Sequence, residues 1–195
     1  CFNNTQDKLK LLAISQWGNL SFGNAGSYFY GCKNLMLLAT DAPNLTKTTT
    51  FASIFRDCEK ISSFGNMNTW NTSTIRILSE AFKGVDTFNQ PIGAWDVSAV
   101  VDMSYMFAGT IRFNQNIGGW DVSSVVNMRG MFWNAHSFNQ YIGGWDVSAV
   151  VDMSNMFDDA EMFNQDVKWW NVSSVLDMHD MFAGKSEFNQ NIGLW

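Results

Sequence analysis

Serine recurs at one spacing, Ser73, Ser98, Ser123, Ser148 and Ser173, each two residues after an Asp or Asn. A hydroxyl near a carboxylate is a beginning of nucleophilic chemistry. That chemistry also needs a base and a group that orients the base, assembled once. A residue needed once for a reaction is not needed five times, so the column reads as a structural cap. His136 and His179 sit in variable parts of the chain and belong to no metal-ligand motif; both read as surface residues. No glycine-rich phosphate loop follows a strand and opens a helix. The expectation is a protein that is not an enzyme and carries no cofactor.

Two columns hold acids: Asn71, Asp96, Asp121, Asp146, Asn171, and Asp102, Asn127, Asp152, Asp177. Carboxylates about 5 Å apart repel by about 0.8 kcal/mol in water. Calcium would relieve this, since it takes carboxylate and carbonyl oxygens. Asn interrupts both columns, however, and capping a helical turn justifies Asp without an ion. Folding is therefore expected not to need calcium.

Cys32 and Cys58 each follow a Phe by three residues, where later units carry Val85, Thr110, Ala135 and Ala160. A slot taking Cys, Val and Ala is small and buried, so free thiols are expected. A bridge between stacked neighbours is the alternative. Three cysteines are too few for a disulfide scaffold and lack zinc spacing. Sequons begin at Asn3, Asn19, Asn44, Asn71 and Asn171. They are possible N-glycosylation sites if the source secretes through a eukaryotic pathway.

What must position these groups is a repeat. Trp70, Trp95, Trp120, Trp145, Trp170 and Trp195 are 25 residues apart. Between them recur Asp-Val-Ser, Met-Phe and Phe-Asn-Gln-x-Ile-Gly. The same ruler, worn, runs back through Pro43 to Trp17, with Phe29, Phe55, Phe82 and Phe107 each twelve residues after an anchor. Seven repeats result, and Trp195 opens an eighth. A period in the twenties predicts a solenoid in which equivalent residues form columns. At about 4.8 Å per coil, seven coils make a rod roughly 35 Å long.

The Trp, Phe and Met columns are expected in the core. Phe-Asn-Gln-x-Ile-Gly reads as a short strand closed by a turn. Val100, Met103, Met106 and Phe107, stepping by three and four, read as a short helix or 3₁₀ segment capped by Asp96 and Ser98. The Asn89, Asn114, Asn139, Asn164 and Asn189 column predicts a ladder of side-chain amides inside the solenoid.

The formal net charge is -6 and only 15% of residues are charged. Nucleic-acid binding, which needs clustered Lys and Arg, is excluded. No stretch approaches the roughly 18 apolar residues of a membrane span. The chain opens at Cys1 without Met and reads as a mature or trimmed fragment.

The repeat Trp-Asp-Val-Ser-Ser-Val-x-x-Met-x-x-Met-Phe-x-x-Ala-x-x-Phe-Asn-Gln-x-Ile resembles that of the BspA-like leucine-rich-repeat surface proteins. The opening units are similar too, at Ile14 to Gly18, Phe29 to Cys32 and Thr40 to Leu45. The likeness covers the chain from about residue 10. Pro43 for Trp, and Asp166-Val167-Lys168-Trp169 for Asn-Ile-Gly-Gly, depart from it. The resemblance implies surface exposure and interaction rather than one chemistry. It also raises Cys1 as the acylated first residue of a lipoprotein, against the plainer reading of a cut end.

The expected fold is therefore an α/β, leucine-rich-repeat-like solenoid of about seven coils, with short parallel strands and short helical turns. Residues 1–69 are its degenerate repeats and 70–195 its regular ones, as a fragment of a longer array. The expected function is an extracellular or cell-surface module for protein-protein or adhesive contact. Its partner would be a protein, a glycan surface or copies of itself. Binding surfaces on solenoids lie where the repeat varies. Trp133, Tyr141 and Trp169 replace residues such as Ala108, Asn116 and Gly119, which makes them candidate anchors. Alternatives are a self-assembling subunit of a fibre, coat or large complex, and a calcium-dependent adhesive domain. The last coil is expected to be covered by more chain, another subunit or a partner, because exposed edges template pairing.

Overall fold

The computed structural model describes residues 6–61, 65–184 and 187–195. Regular secondary structure is sparse. A 3₁₀ helix, Gln6–Leu9, precedes β1 (Ala13–Ile14), which pairs in parallel with β2 (Met36–Leu37). A second 3₁₀ turn covers Met67–Thr69. Beyond these, the chain is held by single parallel bridges from coil to coil: Thr50 to Ile77, then Asp102, Asn127, Asp152 and Asp177. Four successive steps of this bridge ladder span 25 residues, the spacing of the Trp anchors.

The segment expected to be helical makes the backbone contact between coils instead. The N–H groups of Met103, Tyr105, Phe107 and Gly109 donate to the carbonyls of Asn127, Arg129, Met131 and Trp133 in the next coil, at 2.7–2.9 Å. The alternate amides, Met106, Ala108 and Thr110, close back on the carbonyl three residues earlier at 3.0–3.1 Å. An α-helix would send every amide to the carbonyl four residues back. Here half of them leave the coil.

Left-handed residues make this possible. One lies two residues before each column Phe (Tyr105, φ 55°; Asn155, φ 54°) and one two residues after it (Gly109, φ 69°; Asn134, φ 56°). The three- and four-residue spacing that mimics a helix is therefore a run of tight turns.

The Phe-Asn-Gln segment, expected to be a strand, forms none. Its link to the next coil runs through a side chain. Asn89 Oδ1 accepts the Asn114 N–H at 3.0 Å and the Gln115 side-chain amide at 3.0 Å. Asn114, Asn139 and Asn164 repeat the arrangement. The Asn ladder exists, but it lies at the exposed or half-buried edge rather than inside. A side-chain oxygen takes the place of a backbone carbonyl, so no backbone bridge is needed there.

Buried apolar residues from Trp17 to Met181 form one continuous core. Within each regular coil two Phe rings lie face to face, Phe107 on Phe113 and Phe132 on Phe138, with centroids 4.0 and 3.9 Å apart. Between coils the same rings stack at 5.6–5.9 Å, as in Phe132 on Phe157 and Phe113 on Phe138. The rings are near-parallel throughout, and the inter-coil pairs lie within the centroid range usual for stacked aromatic side chains.

Trp column residues up to Trp170 are buried and Trp195 is half-buried, and each indole N–H from Trp95 onward finds a carbonyl 28 residues back, such as Ile92 for Trp120 at 3.3 Å. Pro43 interrupts the column. Trp17 and Trp70 meet edge to face across that gap, with centroids 5.5 Å apart. The Trp70 N–H, buried, has no acceptor among the described residues.

One glycine of each Ile-Gly-Gly turn is required by its neighbour. A Cβ on Gly118 would sit 2.4 Å from the Tyr141 carbonyl oxygen, whereas Gly119 faces open space. The contact at Gly118 is backbone, so it cannot be relieved by a side-chain rotation.

Trp120→Ala is expected to destabilise by about 3–5 kcal/mol, because it empties a buried site stacked on Phe107 and removes the indole hydrogen bond to the Ile92 carbonyl. Urea unfolding measures this, and a loss under about 1 kcal/mol would contradict the burial of the Trp column. Gly118→Ala should cost about 1–3 kcal/mol through forced backbone movement, and Gly119→Ala close to nothing. Equal melting temperatures for the pair would refute the steric argument.

Candidate functional site

The Ser column forms a structural turn. Asp96 Oδ1 accepts both the Ser98 N–H at 3.1 Å and its hydroxyl at 2.6 Å. Asp121 and Ser123 repeat this, and Ser148 and Ser173 donate their N–H in the same way. These bonds hold the carboxyls of Asp121 and Asp146 below the usual aspartate range, the serine hydroxyl bond being the larger cause. Among the described residues no helix follows, so these residues close an Asx turn rather than cap a helix. No histidine joins any of these serines among the described residues, and the hydroxyls of Ser98 and Ser123 are committed to a carboxylate.

The second acidic column behaves alike. Asp102, Asn127, Asp152 and Asp177 each accept the N–H two residues on. Asp177 also meets His179 Nδ1 at 2.7 Å on the surface, and His136 is half-buried. Among the described residues no three His, Cys, Asp or Glu side chains converge as a metal site would require.

The sequons follow the same turn. Asn44 and Asn71 accept the N–H and hydroxyl of Thr46 and Ser73, and Asn171 accepts the Ser173 N–H. Asn19, Asn44, Asn71 and Asn171 are all exposed. Three of these sequons are therefore the Asn form of a turn that other coils build with Asp. Asn3 and Cys1 lie outside the described residues.

Cys32 and Cys58 are buried free thiols. The Cys58 thiol donates to the Phe29 carbonyl at 2.9 Å. Burial pushes Cys32 up to about 11 and Cys58 further.

Variation concentrates at the position after the column Phe, on the outer side of the tight turns, where side chains run from buried Ala108 through half-buried Tyr30, Arg56, Lys83 and Asp158 to exposed Trp133. Tyr30, Arg56, Lys83, Ala108, Trp133 and Asp158 occupy one place in successive coils. Arg56 lies over the Tyr30 ring at 4.9 Å and pairs with Glu80, which Lys83 also reaches at 2.9 Å. Burial pushes the Glu80 carboxyl up. The Lys83 and Ser53 hydrogen bonds and the charges of Lys83 and Arg56 more than offset this, leaving it below the usual range. Lys83 then sits 4.6 Å from the Tyr105 ring, whose hydroxyl accepts from Arg129 Nε at 2.7 Å.

Of the three predicted anchors, only Trp133 joins this row, edge-on to Tyr105 with centroids 6.3 Å apart. Clefts of about 110 and 170 Å³ flank it. Tyr141 and Trp169 lie on the turns before the next Trp, 58% and 72% exposed. Lys168 lies 5.3 Å from the Trp169 ring. No ring contact joins them to Trp133 among the described residues.

Sequence reasoning missed Tyr105, Arg129 and the Arg56–Glu80–Lys83 cluster. Arg56, Lys83 and Trp133 share one repeat place, and that departure from small residues was the available signal. Among the described residues no helix is long and apolar enough to cross a membrane.

The family model described as "Mycoplasma protein of unknown function, DUF285" matches residues 49–148 and 140–195. No curated protein and no solved structure matches the chain.

The thiols at Cys32 and Cys58 should resist iodoacetamide at pH 8 in the folded protein and react fully in urea. Peptide mapping by mass spectrometry reads both sites, and fast labelling without denaturant would contradict their burial and raised pKa.

Proposed function

We propose that this chain, which belongs to the DUF285 family, is a leucine-rich-repeat-like solenoid of the BspA-like kind that acts outside the cell as a non-catalytic interaction module. The observation that carries this reading is where the repeat varies. The Trp, Phe, Met, Asn and Asx-turn columns are nearly constant, while the outer turn position after the column Phe changes to half-buried Tyr, Arg and Lys and to exposed Trp. Aromatic and Arg side chains are the types that dominate binding energy at interfaces. The polar groups that could do chemistry are tied into repeated turns, which supports binding over catalysis. The extracellular setting rests on the likeness of the repeats to those of surface proteins. The partner class is a protein or glycan surface.

The test is adhesion of bead-coupled protein to the surfaces of intact cells from the source organism. Trp133→Ala should reduce retention about fivefold to thirtyfold, since an anchor residue is worth about 1–2 kcal/mol or more, while the melting temperature stays within about 2 °C. The same substitution at Trp169 separates the two aromatic regions. Retention equal to wild type in both variants, or none for the wild type, would sink this reading.

A further inference from the structure

The corner between Tyr105 and Trp133 is built, not incidental. Tyr105 adopts a left-handed backbone, φ 55°, which a bulky residue rarely tolerates. Its ring lies over Gly130, where a Cβ would meet the Tyr105 ring carbon at 2.4 Å. Only glycine in the next coil leaves room for that ring. Trp133 stands against it at 70°, and the cleft of about 110 Å³ between them is lined also by Asn155 and Asp158. Two ring systems and a carboxylate therefore share one small concavity.

We propose that this corner is a subsite for a primary alkylammonium group, the head of a lysine side chain presented by a protein partner. It rests on the interaction reading above for the partner, but the corner can be tested without one.

Electron-rich ring faces attract cations, and Tyr105 already draws two from its own chain, Lys83 at 4.6 Å and Arg129 at 5.9 Å. Trp133, 36% exposed, has no cation over it among the described residues. Asp158 has no basic partner among them either; its neighbour is the Asn155 amide at 3.5 Å. Burial, then the charges of Asp159 and Asp180, raises the Asp158 carboxyl, and an incoming cation would relieve both charges. The Lys83 charge is paired with Glu80 at 2.9 Å and the Arg129 charge is balanced in part by Asp152 and Asp177, so the two resident cations do not close the corner to a third. A primary ammonium carries three N–H donors, which a carboxylate and an amide oxygen can accept. A quaternary ammonium would use the rings and waste the acceptors.

The test is a titration of the nitrogen-15-labelled protein, reading the Trp133 indole N–H, assigned by its loss in Trp133→Phe. Nα-acetyl-lysine methylamide should give a saturating shift at millimolar concentration. Its Nε-acetyl analogue, which is neutral, should not. Tetramethylammonium should bind more weakly. Asp158→Asn should weaken lysine binding about threefold to fivefold, the size of an exposed ion pair, and Asp158→Ala should do at least as much. A shift no larger than that from sodium chloride at equal ionic strength overturns the proposal. So does affinity unchanged in both Asp158 variants, or tetramethylammonium binding as tight. A silent corner with adhesion still dependent on Trp133 would sink this subsite alone and leave the interaction reading standing.

Discussion

The direction of alternate backbone amides is the constraint on which the rest of this protein depends. Along each turn around the column Phe, every second N–H points to the next coil and the others close a three-residue turn. That division lets a segment of seven residues bend tightly while remaining bonded along the stack. It also forces registry: if Phe107 donates to Met131, then Phe107 must lie beside Phe132. Aromatic stacking follows from the ladder and reinforces it. A slipped coil would lose the hydrogen bonds and the ring contacts together, and buried unpaired backbone groups are costly.

The constraint has a conformational cost. Two residues per regular coil take positive φ, which costs an L-residue roughly 1–2 kcal/mol unless it is Gly, Asn or Asp. After the Phe the chain meets this with Gly31, Asp57, Gly84, Gly109, Asn134, Asp159 and Gly184. Before the Phe it tolerates Ser53, Glu80 and Tyr105. Those strained side chains are the ones that make surface contacts: Glu80 with Arg56 and Lys83, Tyr105 with Lys83, Arg129 and Trp133. Strained backbone of this kind clusters at functional positions. A rigid aromatic interior leaves the exterior of each turn free to vary, because the columns, not the turn surface, carry the stability.

The sequence by itself determined the period, the columns and the core. Equivalent residues at fixed spacing stack only if the coils do, so Trp120, Phe132 and Met128 were legible as buried before any coordinates. The small slot of Cys32 and Cys58 was legible by the same reasoning, from the Val and Ala that share it. So was the Asn ladder, though not its exposed position. The Gly, Asn or Asp two residues after each Phe is a left-handed signature in plain view.

Only the tertiary structure decided which segment bonds between coils. Helical spacing around Met103 and Phe107 arises because turns of three and four residues put the same side chains inward as a helix would, and periodicity records that facing, not where the amides point. The strand-like Phe-Asn-Gln run failed as a strand because Asn Oδ1 replaces a carbonyl, a substitution no alternation pattern reveals. The Tyr105 corner was beyond sequence for a similar reason. Tyr105, Gly130 and Trp133 meet only because one coil lies on the next, and the room that Gly130 leaves is a property of two coils, not of either alone.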